Sequence, residues 1–223
     1  MESLRAFKGN ADLWFVRHGE SEGNRDGIMQ GRAPSRLTDA GRGQARAAGE
    51  WFRGKEIDLV LTSPLARAAE TASLLAETAG APTPGNLPDL VEIGTGIFTG
   101  MSLREVESRY PAEWNDFQKG SWEAVPEAER IEELLQRAGR VWSTLADRAA
   151  QGHTRILCVT HSGFLQWIIR STLGSRAWMP LLGGSTNCCV SHLRISNAAD
   201  GGVDGGHMAT WQAINAAILP PSS

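Results

Sequence analysis

Two histidines, two arginines and one glutamate fall where short apolar runs of this sequence end. Arg17 and His18 follow DLWFV. Ser63 follows IDLVLT, with Arg67 one helical turn further on. Glu92 closes LPDLVE, and His161 follows RILCVT. Two guanidiniums in one cleft suit a tetrahedral anion such as phosphate, which accepts their paired donors. A neutral imidazole is a nucleophile as well as a base, and nearby Arg charges keep it neutral. A buried Glu at the same edge can protonate a leaving alkoxide. No cluster of Asp and Glu suggests a magnesium site, and the two His lack the short helical spacing of a zinc motif. The set suits metal-free, cofactor-free phosphoryl transfer through a phosphohistidine.

Each residue also has a plainer explanation. A lone His18 is more often a hydrogen-bonded core histidine, and a lone Arg17 is half of an ion pair. Arg67 on an amphipathic helix would by itself be solvated or paired with Glu70. Glu92 alone is an ordinary strand-end carboxylate, and His161 alone is no stronger than His153, His192 or His207. What weighs is coincidence, since every candidate falls at the same kind of place.

That place has to be built by secondary structure. Strands are expected over residues 12–16, 57–61, 87–93, 155–160, 188–195 and 207–214. Helices are expected over 38–55 with Thr38 as N-cap, 65–79 behind Pro64, 103–109, 127–151, and 164–173 closed by Gly174. Residues 21–36 read as loop. Residues 114–125 show no period, and the stretch at about 101–126 reads as an excursion over the active-site edge. The Gly- and Asp-rich joiner 196–206 reads as mobile and the tail 220–223 as a disordered end. Strands alternating with helices predict an α/β fold, a single domain over 1–223 with a mainly parallel central sheet and helices on both faces. In such a sheet, reactive groups collect beyond the carboxyl ends of the strands.

The totals exclude other classes. With 22 Lys plus Arg against 25 Asp plus Glu, the net charge of −3 lacks the basic stripe of a nucleic-acid binder. No apolar run reaches the ~18 residues of a membrane span. Glu2, Arg5 and Lys8 leave the N-terminus without the apolar core of a signal peptide. The three cysteines are Cys158, Cys188 and Cys189, an odd set with two sequence neighbours. A disulfide framework is not expected, and a reducing cytoplasm is.

The motifs resemble the histidine phosphatase superfamily, the phosphoglycerate-mutase-like fold, from about Leu13 to Ile218. Arg17-His18-Gly19-Glu20-Ser21-Glu22-Gly23-Asn24 matches R-H-G-E-[ST]-x-x-N. Leu37-Thr38-Asp39-Ala40-Gly41 with Gln44-Ala45 is similar to L-T-x-x-G-x-x-Q-A. Ser63-Pro64-Leu65-Ala66-Arg67-Ala68-Ala69-Glu70-Thr71 is similar to S-P-L-x-R-A-x-E-T. Glu92 with Gly96 and Gly100 is similar to the acid-bearing loop, and Val159-Thr160-His161 to the second-histidine strand.

The resemblance implies roles. His18 would carry the phosphoryl group. Arg17, Arg67 and His161 would hold its oxygens, and Asn24 would add a donor. Ser21, Gln30 and Ser162 would contact substrate. Glu92 would be the proton donor, then the base for water. It implies a histidine acid phosphatase-like phosphomonoesterase acting on a small phosphorylated metabolite, and a homodimer, common in this fold. Departures are Ser162 where Gly commonly follows the second histidine, Gly23 for a residue often aromatic in the mutases, Phe98-Thr99 for a frequent Trp-Glu, and Ala128-Glu129-Arg130 for Gly-Glu-Ser. The mutases carry Tyr, Lys and paired Arg after the acid loop; here only Arg104, Arg109 and Lys119 are basic there, and Tyr110 is the only Tyr in the chain. A phosphatase is therefore expected over a phosphoglycerate mutase-type phosphotransferase. A non-catalytic binder of phosphorylated ligands would need no nucleophile. Trp114, Phe117, Trp122 and Trp178 would form an apolar wall for the organic group or pack over the sheet edge.

Overall fold

The computed structural model describes residues 7, 9–177, 185–196 and 208–218. Six strands form one sheet in the order β4-β3-β6-β1-β7-β8. These are β1 (Ala11–Arg17), β3 (Leu59–Thr62), β4 (Gly85–Asn86), β6 (Arg155–Thr160), β7 (Val190–Ser196) and β8 (Met208–Ala216). The pairs β3–β4, β3–β6 and β1–β6 are parallel, while β7 is antiparallel to both β1 and β8. The expected parallel core is there, with an antiparallel margin on one side. Two short strands, β2 (Ile28–Met29) and β5 (Met101–Ser102), pair separately. The fold is α/β, as expected.

Alternation along the strands sets the two cores. Leu13 and Phe15 of β1, with Ile156 and Cys158 of β6, face one side; Trp14 and Val16, with Leu157 and Val159, face the other. The first side is covered by α6 (Ile131–Ala150) through Leu134, Val141 and Leu145, and by α7 (Ser162–Leu173) through Phe164, Leu165 and Ile168. The second is covered by α2 (Asp39–Phe52) through Ala48 and Phe52, and by α3 (Ala66–Ala79) through Ala68, Ala72 and Leu75. Small residues on α2 and α3 let both helices lie close to the sheet. No helix among the described residues is long and apolar enough to cross a membrane.

Helix ends follow local chemistry. Thr38 caps α2, its hydroxyl accepting from Gly41 N at 3.0 Å. Gly174 closes α7 in the left-handed region, at φ 68°. The long helix starts later than 127, because Arg130 N–H bonds Glu133 at 2.8 Å as a capping box and Ala128 bridges to Thr95.

Three expectations fail locally. Residues 87–93 are not a strand. Leu87 N–H makes a last rung to Thr62 O at 2.8 Å, and Pro88 then has no N–H to continue the ladder. The chain turns instead through a 3-10 helix, Pro88–Leu90, and β4 lies earlier, at Gly85–Asn86. Residues 21–36 are not all loop, since α1 (Glu22–Arg25) and β2 fall there. The excursion is mostly helical: α4 (Leu103–Arg109) is as expected, α5 (Pro111–Gln118) starts on a proline, and a 3-10 turn covers Trp122–Ala124. The expectations for Trp178, His207, the joiner beyond Ser196 and the tail 220–223 lie outside the described residues.

Candidate active site

Register brings the polar ends together. In the parallel pairing Arg17 lies opposite Thr160, and Thr62 opposite Val159. The next residues along are His18, His161 and Ser63, side by side at the carboxyl edge. Backbone bonds continue this alignment: His18 N–H donates to Thr160 O at 2.9 Å, and Ser63 N–H to Val159 O at 3.0 Å.

His18 is 3% exposed. Its Nδ1 lies 2.7 Å from Gly19 O, and a carbonyl can only accept, so the proton sits on Nδ1. Nε2 keeps its lone pair, and Arg67 Nε approaches it at 3.3 Å. Burial first, then the charges of Arg67 and Arg17, push the imidazole pKa down to about 3. The imidazole is therefore neutral at physiological pH. Arg67, 1% exposed, is fixed by the carbonyls of Gly31 at 2.7 Å and Ala33 at 3.0 Å, not by Glu70, which pairs with Arg42 at 2.6 Å. Arg17 donates to Ser185 O, while its buried Nε has no partner among the described residues.

The ring of His161 lies 5.0 Å from that of His18, centroid to centroid. It is fully buried, and burial, His18 and the surrounding arginines hold its pKa well below the usual range. Its Nε2 bonds Ser63 Oγ at 2.8 Å, and its buried Nδ1 has no partner among the described residues. Arg17 Nε and His161 Nδ1 are thus two buried nitrogens without a partner among the described residues, near a neutral imidazole.

Glu92 is half-buried rather than buried, and it follows the 3-10 turn rather than ending a strand. Its Oε1 accepts from Ile93 N at 2.8 Å and Phe164 N at 2.9 Å, and its Oε2 from Gly163 N at 3.2 Å. The carboxylate thus sits on the N-terminus of α7, where backbone donors and the helix dipole favour an anion. A Cβ on residue 163 would lie 2.7 Å from Glu92 Oε1, so a side chain there would push the carboxylate aside.

A cavity of about 470 Å³ opens onto these groups. Arg17, His18, Asn24, Gln30, Arg67, Glu92 and Ser162 line it. His161 is not among its lining residues. Nor is Ser21, which is fully buried with Oγ 3.0 Å from both Asn24 Oδ1 and Gln30 Oε1. Gly23 makes room for Gln30, whose side chain occupies the space a Cβ would take. Ser162 Oγ bonds Ser185 Oγ. Phe117 and Trp122 reach the cavity wall, but Trp114 does not; it stacks on Phe117 at 5.6 Å. All three also pack in or against the core on that side of the sheet. No group of three or more His, Cys, Asp or Glu among the described residues could hold a metal ion.

Residues 13–201 match the histidine phosphatase superfamily (branch 1). The chain belongs to that superfamily. It is 34% identical over 170 residues to the adenosylcobalamin/alpha-ribazole phosphatase of Escherichia coli (strain K12), covering 74% of this chain and 80% of that protein. It is 32% identical over 187 residues to a metal-independent phosphoserine phosphatase of Arabidopsis thaliana, covering 82% and 76%. The phosphoglycerate mutase of Bacillus anthracis shares the fold at a TM-score of 0.77 and 20% identity, covering 95% of each chain.

Within this histidine phosphatase superfamily chain, several groups escaped the sequence. Asn187 Nδ2 donates to His18 O at 3.0 Å and to Asn24 Oδ1 at 3.1 Å. Thr71 Oγ1 accepts from Gly19 N at 3.0 Å. Glu129 keeps its carboxylate in a buried pair with Arg137 despite its altered neighbours. Asn and Thr are too common for type alone to single them out. Thr71 and Glu129 do fall inside quoted motifs, which was the available signal.

Proposed function

We propose that this chain is a metal-independent phosphomonoester hydrolase acting through a phosphohistidine on His18. The observation that carries this is the fixed state of His18: proton on Nδ1, lone pair on Nε2, and two guanidiniums beside it. Its relatives include phosphatases of unlike substrates, which supports a phosphatase acting on a small phosphorylated metabolite.

In the first step His18 Nε2 attacks phosphorus and the P–O bond to the organic group breaks. Glu92 gives its proton to the departing alkoxide. Arg17, Arg67 and His161 hold the phosphoryl oxygens, and Asn24, its oxygen already taken by Ser21 and Asn187, offers its NH₂. In the second step water attacks phosphorus, Glu92 takes the water proton, and the P–N bond returns its pair to Nε2. The sum is ester plus water to alcohol plus phosphate. The basic residues of the excursion, Arg104, Arg109 and Lys119, are exposed and do not line the cavity, which favours hydrolysis over a mutase.

The test is phosphate release from p-nitrophenyl phosphate and a panel of sugar, glycerate and nucleotide monophosphates in EDTA. Wild-type protein should turn over at least one ester and become labelled on His18. His18→Ala should lose both. Tight phosphate binding without labelling would mark a binding protein instead, and dependence on 2,3-bisphosphoglycerate a mutase.

A further inference from the structure

The loop that carries Glu92 is held by one buried ion pair. Arg137 of α6 is 4% exposed, and each nitrogen of its guanidinium is used. Nε and one terminal nitrogen form a fork on Glu129, at 2.8 and 2.7 Å. The other terminal nitrogen donates to Asp89 O at 2.9 Å and to Val91 O at 2.6 Å. Glu129 Oε2 in turn accepts from Gly94 N at 3.1 Å. The backbone is therefore tied on both sides of Glu92. The guanidinium also lies over the Phe164 ring, 3.6 Å from its centroid, and Phe164 N–H is one of the donors on the Glu92 carboxylate. Half-exposed Arg32 adds an outer clip, donating to Glu92 O at 3.0 Å and to Glu129 Oε2 at 2.8 Å.

A buried ion pair adds little net stability, because desolvation offsets its attraction. What this pair does supply is position. It joins the acid loop, the start of α6 and the start of α7 at one point. We propose that Arg137 and Glu129 are positioning residues for the proton donor, setting the height of the Glu92 carboxyl over the leaving oxygen, with Arg32 as a weaker third member. This rests on Glu92 being the proton donor.

Leaving groups discriminate this role from a merely structural one. An alkoxide leaves only when protonated, whereas p-nitrophenolate leaves without help. kcat/KM covers the steps through P–O cleavage, so it should be compared for p-nitrophenyl phosphate and glycerol 2-phosphate. Arg137→Lys keeps the charge and loses the fork. Its kcat/KM on the alkyl ester should fall ~10²-fold, the cost of misplacing a reacting group by about 1 Å, with little change on the aryl ester. Arg32→Ala should shift the same ratio in the same direction by less. Circular dichroism checks folding, and if Arg137→Lys does not fold, Arg32→Ala decides alone. Equal losses on both esters, or none on either, would overturn the proposal. Glu92→Gln separates the two levels. If it lacks the leaving-group pattern, the assignment of Glu92 falls and the positioning role with it. If it shows the pattern and the arginine variants do not, only the positioning role falls.

Discussion

Ser63 shows how one hydroxyl decides what its neighbour can do. Its Oγ accepts from Leu65 N at 3.2 Å and lies 2.8 Å from His161 Nε2, where it can donate its own proton. With the hydroxyl donating, the His161 proton sits on Nδ1, the buried nitrogen without a partner among the described residues. Ser63→Ala should free the tautomer and lower kcat/KM on the order of tenfold, the worth of about one hydrogen bond, with the circular dichroism spectrum unchanged. His18 carries a different prediction. Its pKa drops from 6.5 unfolded to about 3 folded, so the unfolded chain binds a proton that the native one refuses. Stability from this residue is intact above 6.5 and is lost as pH falls towards 3. Tm measured across that window should fall more steeply for the wild type than for His18→Asn; parallel slopes would refute the assignment. At this scale Arg17, His18, Arg67 and His161 were legible because strand ends announce them. Ser63 as a partner, Asn187 and Arg137 were not, because what matters in them is a distance to something remote in sequence.

Elements were legible where period and length agree. The strand 155–160 and the helix 103–109 fall where the pattern put them. The strand expected at 87–93 did not form, because apolar residues spaced for burial served a 3-10 turn once Pro88 ended the ladder. Eight-residue α5 buries no residue fully, so it left no period to detect. Close approach between elements is also invisible in a pattern. A Cβ at residue 41, in the first turn of α2, would lie 2.0 Å from Glu20 O, two residues after His18. Gly41→Ala should therefore cost about 2–3 kcal/mol and lower Tm by roughly 5–10 °C. An unchanged melting curve would show that this packing yields easily.

Over the whole molecule, alternating strands and helices foretold a mainly parallel sheet, but not that β7 would run antiparallel to both its neighbours. Direction depends on which edges meet, and a single chain pattern does not encode that. The three cysteines are buried and free. Burial pushes Cys188 up to about 12 and Cys189 to about 11, and raises Cys158 further. Ellman's reagent should find no thiol in the native protein and three after unfolding, and iodoacetamide should leave activity intact. Rapid loss of activity on alkylation would mean that the sheet opens near Cys188 and Cys189.

Arg17 and Arg67 face two imidazoles that stay uncharged, and Glu92 is the only carboxylate lining the cavity among the described residues. Holding these cations close together costs electrostatic energy that a bound oxyanion relieves. Oxyanion binding then counts towards the stability of the fold as well as towards recognition. At ~100 times its Kd, free phosphate would add ~2.7 kcal/mol to the folded state. Each catalytic cycle would end with the enzyme at rest on its own product. Letting go of that product, rather than breaking the ester, would then set the pace.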